Sequence, residues 1–231
     1  MTEPARINWT VLLPVKVLAL AKSRLAVLAG SRRWELALAM ESDTVAAALA
    51  CPEVARVIVI TSDPLAGKRL AALGAIIVPD GSGGPGGFPE RDDGRQDALN
   101  AALLHGAAEA ARRWPGTGLA ALTADLPALR PAELGAALRA AARAPGVPGF
   151  VPDAAGVGTT MYAVAPGGDF RPAFGGASRA RHARAGAAEL ALDGVPGLRH
   201  DVDTPDDLRA AVALGAGFRT TAIAAELFTQ A

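Results

Sequence analysis

Leu119-Ala120-Ala121-Leu122-Thr123-Ala124-Asp125-Leu126-Pro127-Ala128-Leu129 holds a short apolar run, then an acid, then a turn ahead of Pro131. The run over 119–123 is continuous rather than alternating, the pattern of a strand covered on both faces. Such a strand belongs in a parallel sheet. Asp125 then stands just past its C-terminal end, where open α/β sheets place their ligands. Taken alone, Asp125 reads more simply as a turn residue before a proline.

Outward from this stretch the same pattern repeats. Apolar runs at 10–15, 56–60 and 75–78 predict three more buried strands. Helix-like segments at 35–49, 64–73, 98–114 and 131–143 lie between them. Pro64 and Pro131 suit a first helical turn, and Glu133 suits the helix dipole. Strand and helix alternate through the first 143 residues, which implies right-handed βαβ units and a mostly parallel sheet with helices on both faces. Beyond them, 150–152 and 161–165 predict two short strands joined by a Gly- and Ala-rich turn. A helix over 178–190, a last strand over 198–202 and a last helix over 205–214 follow. This later half is expected to add an antiparallel element at a sheet edge. The segment 80–95 carries five glycines between 81 and 87. It reads either as a plain flexible loop or as a lid or base-binding loop.

The chain has 231 residues, 51% hydrophobic and 20% charged, which suits one globular α/β domain over 1–231 with its core at about 9–215. Its 23 basic and 23 acidic residues balance, which argues against a bulk electrostatic grip on nucleic acid or anionic lipid. The single cysteine, Cys51, has no partner for an internal disulfide and reads as a small buried hydrophobe. The first six residues lack the basic start and apolar run of a signal peptide, and no apolar stretch reaches the roughly 20 residues of a membrane span. A cytoplasmic protein is the expectation.

The strongest local signal is Arg199-His200-Asp201-Val202-Asp203-Thr204-Pro205-Asp206-Asp207-Leu208. A helix start accounts for Thr204 through Asp207, with Thr204 as N-cap and Pro205 in the first turn. It does not account for Asp201 and Asp203. On a strand these two share one side, where like charges repel unless a cation lies between them. With Asp125 they make a three-carboxylate set that suits Mg²⁺ and phosphates. After the first strand come Lys16 and then Lys22-Ser23-Arg24, bases placed where α/β folds often hold phosphates, or else ordinary surface lysines. There is no P-loop motif. Gly156-Val157-Gly158-Thr159-Thr160 and Phe174-Gly175-Gly176-Ala177-Ser178 can offer backbone N–H groups and hydroxyls to an anion, with Ser178 also suited to N-cap its helix. Most of Arg179, Arg181, His182 and Arg184 reads as a solvated helical face. A lone His182 does not make a zinc site.

Together these segments resemble the guanylyltransferases of deazaflavin coenzyme (F-420) biosynthesis, which act on 2-phospholactate or phosphoenolpyruvate. The resemblance rests on Leu13-Pro14-Val15-Lys16, Ala21-Lys22-Ser23-Arg24-Leu25-Ala26, Ala124-Asp125-Leu126-Pro127-Ala128-Leu129, Gly158-Thr159, the Phe174-to-His182 segment and Asp201-Val202-Asp203-Thr204-Pro205. It implies a single Rossmann-like, GT-A-type nucleotidyltransferase domain. By position it implies that Asp125, Asp201 and Asp203 hold Mg²⁺ and the substrate phosphate, and that Lys16, Lys22 and Arg24 face the triphosphate. Asn100 matches an asparagine near the nucleotide. Thr159, Gly175 and Ser178 match residues that cradle a small phosphorylated carboxylic acid. Thr160 stands where some relatives carry Asn. The implied reaction moves GMP from GTP to the acid and releases pyrophosphate, with phosphoenolpyruvate the favoured acceptor over 2-phospholactate and 3-phosphoglycerate. Another nucleotidyltransferase, of the molybdenum-cofactor or sugar-phosphate type, and a non-catalytic nucleotide-binding module are the alternatives.

Overall fold

The computed structural model describes residues 7–18, 22–81 and 92–230. Of the glycine-rich loop, residues 82–91 lie outside the described residues. The strands are β1 (Trp9–Pro14), β2 (Val54–Ile60), β3 (Ile76–Val78), β4 (Gly118–Leu122), β5 (Gly149–Pro152), β6 (Thr159–Val164) and β7 (Ala188–Glu189). The helices are α1 (Ala26–Ala29), α2 (Arg33–Leu49), α3 (Pro64–Ala71), α4 (Asp92–Arg113), α5 (Pro131–Ala142), α6 (Ser178–Arg184), α7 (Pro196–Arg199), α8 (Pro205–Leu214) and α9 (Phe218–Gln230).

The strands form one sheet in the order β3-β2-β1-β4-β6-β5-β7. β3, β2, β1 and β4 run parallel, β6 opposes both β4 and β5, and β5 and β7 are parallel. A mostly parallel sheet is expected from the sequence, and this is one. The reversed strand, however, sits inside the sheet rather than at its edge. From β1 the chain builds outward through β2 and β3 on one side, and then returns to add β4 on the other. The crevice at that reversal opens at the C-terminal ends of β1 and β4, the place where doubly wound sheets bind ligands.

Both faces are covered, which explains the continuous apolar runs. Val11 and Leu13 of β1 join a core with α2, α3 and α5, while Leu12 joins a second core with Ala102, Leu103, Ala107 and Ala110 of α4. A third cluster joins Leu36 and Met40 of α2 to Leu208 of α8 and to Ala224 and Leu227 of α9. The packed chain thus extends beyond residue 215, and α9 is an element the sequence reading omits. Its first turn is tied to α2 by the Asp43 carboxylate, which accepts from the Thr220 N–H at 2.8 Å. Cys51 is buried, as expected, and burial pushes its thiol up to about 11.

Two expected elements differ. Residues 198–202 are not a strand: α7 occupies Pro196–Arg199, starting on Pro196, and the chain then passes 200–203 without strand pairing. It is held instead by single bonds, from the Val202 N–H to the Asp125 carbonyl (3.1 Å) and from the Ala154 N–H to the Arg199 carbonyl (2.8 Å). The helix expected over 178–190 stops at Arg184, because Gly186 adopts φ +88° and the chain turns into β7. The start of α8 is as expected. Thr204 accepts from the Asp207 N–H, and the Asp207 carboxylate accepts from the Thr204 N–H, a capping box.

α7 sits so close to the loop after β4 that a Cβ on Gly197 would lie 2.1 Å from the Ala128 carbonyl oxygen. Backbone cannot yield there as a side chain can. Gly197→Ala should lower unfolding free energy by about 2 kcal/mol, more than the roughly 1 kcal/mol of Thr204→Ala at the cap. Urea denaturation of both variants checks the order.

Candidate active site

A cleft of about 520 Å³ lies over the C-terminal ends of β1 and β4, and nine of the ten expected site residues line it. Lys16 and Lys22 come from the segment leaving β1, Asp125 from the loop after β4, and Asp201 and Asp203 from the stretch between α7 and α8. Thr159 opens β6, and Gly175 and Ser178 lead into α6. Asn100 stands apart from the lining. Its side-chain amide donates to the Phe174 carbonyl at 3.2 Å, and its carbonyl accepts from the Phe174 N–H at 2.9 Å. It clamps the loop that carries Gly175.

The centre of the cleft is an ion cluster. The Lys22 ammonium pairs with Asp125 Oδ2 and, at 2.8 Å, with Asp203 Oδ1. Burial alone would lower the lysine pKa, but the two carboxylates outweigh it and hold the ammonium charged above its usual range. Lys22 has φ +53°, a left-handed backbone that a side chain makes costly, and its paired ammonium fastens that turn over the acids. Asp203 is pushed up by burial and down more strongly by Lys22, Arg24 and Lys16, so it is held ionised below its ordinary value. Asp201 goes the other way. Burial first, then the charges of Asp125 and Asp203, raise its carboxyl to about 7. Asp125 Oδ1 is buried with no hydrogen-bond partner.

Several features of the site were not read from the sequence. Glu41 of α2 lines the cleft, 7% exposed, with a buried Oε2 that has no hydrogen-bond partner. Burial lifts its carboxyl well above the carboxylate range, against the pull of Lys22 and with the push of Asp125 and Asp63. An acid at the end of Leu36-Ala37-Leu38-Ala39-Met40 was the available signal. Asp153 also lines the cleft and folds the β5–β6 turn, accepting from the Val157 and Gly158 N–H groups at 2.9 and 2.8 Å.

Two expectations about α6 are corrected. Ala177, not Ser178, is the N-cap, and Ser178 is the first helical residue, buried and lining the cleft. His182 is not on a solvated face. It is fully buried beside Phe150, Tyr162 and Phe174, with ring centroids 5.7, 4.7 and 5.5 Å away. The turn before the helix needs glycine, since Gly175 and Gly176 take φ +100° and +37°.

Among the described residues no helix is long and apolar enough to cross a membrane, and no three His, Cys, Asp or Glu side chains form a ready-made metal cage.

The fold is shared with solved nucleotidyltransferases at low identity. A provisionally assigned nucleotide-diphospho-sugar transferase from Desulfovibrio desulfuricans superposes with a TM-score of 0.66 at 16% identity, over 96% of this chain and 94% of that one. A nucleotidyl transferase from Methanothermobacter gives 0.53 at 16% identity, over 90% of this chain and 97% of its own. No family model matches the chain. Curated relatives are far nearer in sequence. The phosphoenolpyruvate guanylyltransferase of Thermomonospora curvata is 58% identical over 98% of this chain and 92% of its own length. Those of Streptomyces coelicolor and Streptosporangium roseum are 55% and 53% identical, over 95% and 94% of this chain and 97% and 90% of theirs. Identity of that order along nearly the whole length, on a nucleotidyltransferase fold, settles the kinship: this chain belongs to the phosphoenolpyruvate guanylyltransferase family.

Proposed function

We propose that the chain transfers GMP from GTP to phosphoenolpyruvate, releasing pyrophosphate, as a step in making the deazaflavin coenzyme F-420, and that the transfer depends on Mg²⁺. The observation that carries this reading is the identity of more than half the residues, nearly end to end, with relatives named for the reaction. The cleft is consistent with it.

An oxygen of the acceptor phosphate attacks the α-phosphorus of GTP. The new P–O bond forms as the bond to the bridging oxygen breaks, and pyrophosphate leaves with that electron pair. The attacking phosphate is already largely ionised near neutral pH, so no side chain has to take a proton. Two anions must meet, so charge is the obstacle. Asp125, Asp201 and Asp203 would hold Mg²⁺, which when bound supplies shared positive charge to the phosphates. The donor set fits that ion. It is all hard carboxylate oxygen, the ligand type Mg²⁺ takes, with phosphates and water able to complete its shell. The buried Asp125 Oδ1 lacks a partner, and a lysine ammonium already stands as a cation between Asp125 and Asp203. A triphosphate would compete with those acids for the Lys22 ammonium, leaving Lys22 and Lys16 to neutralise the departing pyrophosphate and Arg24 to meet it at the rim. On the other wall, Thr159, Gly175 and Ser178 orient the acid.

Pyrophosphate release from GTP with Mg²⁺ should be strong with phosphoenolpyruvate and weak with 2-phospholactate or 3-phosphoglycerate. Silence with all three from protein that still binds GTP would overturn the reaction. Asp203→Asn should lower turnover about a hundredfold, the scale of losing one charge-stabilising group. A loss of threefold or less removes Asp203 from the metal set.

Asp201 gives a pH test of the metal-free protein. Its folded value of about 7 lies above the ordinary 3.8, so between them the folded chain keeps a proton that the unfolded chain has lost. Stability from this group is therefore present at low pH, falls as pH rises to about 7, and is level above that. The Asp201→Asn variant lacks this loss. Its denaturation midpoint relative to wild type should be higher at about pH 8 than at about pH 5. An unchanged difference would show that Asp201 is ionised throughout.

A further inference from the structure

The His182 imidazole ties together three separate pieces of the acceptor wall. It stands on α6, its Nε2 meets the Ala173 N–H at 2.9 Å, and its Nδ1 meets Thr159 Oγ1 at 3.0 Å. The first contact fixes the second. A backbone N–H can only donate, so Nε2 must carry a lone pair and no hydrogen. A neutral ring then has its one hydrogen on Nδ1. The ring therefore donates to the Thr159 hydroxyl oxygen, which accepts.

The ring cannot adopt the opposite roles cheaply. It is fully buried between Phe150, Tyr162 and Phe174. An imidazolium there would set an N–H against the Ala173 N–H, and burial together with Arg181 lowers its pKa to about 4, in agreement with the geometry.

The Thr159 hydroxyl has one hydrogen. Since the ring uses the oxygen as an acceptor, that hydrogen is not spent on His182. Thr159 lines the cleft, as do Gly175 and Ser178. We propose that His182 is a positioning residue: by donating from Nδ1 it turns the Thr159 hydroxyl into a fixed hydrogen-bond donor toward the acceptor, and by holding Ala173 it sets the loop that carries Gly175. A wall built this way favours an oxygen that only accepts, such as a carboxylate or phosphate oxygen, over an amide or ammonium group that must donate. The idea rests on the proposed reaction for its substrate, but not for its hydrogen-bond direction.

Two readouts test it. In protein labelled with ¹⁵N-histidine, NMR of His182 should show hydrogen on Nδ1 and none on Nε2. Hydrogen on Nε2 overturns the proposal whatever the enzyme does. In the pyrophosphate assay, wild type is measured first, and its silence with phosphoenolpyruvate would count against the reaction and not against His182. With an active wild type, Thr159→Val and His182→Phe should each raise KM for phosphoenolpyruvate about tenfold or more, with KM for GTP within about twofold. Thr159→Ser, which keeps the hydroxyl, should stay within about threefold. The double variant Thr159→Val, His182→Phe should be no worse than the poorer single one, because both remove the same donor. A folded His182→Phe with unchanged KM for the acceptor, or fully additive losses, would sink the proposal. Should His182→Phe fail to fold, the tautomer and the contrast between Thr159→Val and Thr159→Ser decide it.

Discussion

The site depends on one ammonium group between two carboxylates. Lys22, Asp125 and Asp203 come from three distant parts of the chain, and their side chains meet over the sheet. Buried or half-buried acids gathered this closely would drive each other apart. The lysine makes their assembly tolerable, and it does so from a left-handed backbone turn. The remaining imbalance falls on Asp201, which keeps its proton to about 7.

The fold supplies the rest. Reversal of the chain between β1 and β4 opens a crevice at the strand ends, and Lys16, Lys22, Asp125, Asp201 and Asp203 enter it from loops while Glu41 enters from α2. The loops around the site are held by single hydrogen bonds rather than by sheet pairing. Val202 hangs on the Asp125 carbonyl, and Phe174 is clamped by Asn100. Ionic side chains and a group of hydroxyls and glycines backed by a buried imidazole thus line the same cleft.

Much of this was written in local sequence. The parallel strands were legible because a strand packed on both faces needs an unbroken apolar run, as in Val11-Leu12-Leu13. Asp125 was legible because it follows such a run directly. The stretch 198–202 was misread because Leu198 and Val202 are both buried, yet in different clusters, the first in a helical turn and the second in the extended connection after it. His182 was misread because three neighbouring arginines made its helix look solvated. Its apolar surroundings come from Phe150, Tyr162 and Phe174, none of which lies on that helix. Glu41 sits among apolar residues of α2, and only the arrival of Lys22 and Asp125 in space gives it meaning. Contacts between distant segments are what a linear reading leaves out.

The only thiol in the chain, Cys51, is buried just past the end of α2 beside Glu53, and burial keeps it protonated. Thiol reagents act on the thiolate, so the native protein presents them with almost nothing to attack. Any cysteine introduced at an exposed position becomes, in effect, the sole chemical handle. Spectroscopic labels could be set on either side of the cleft without background, on the unaltered parent sequence.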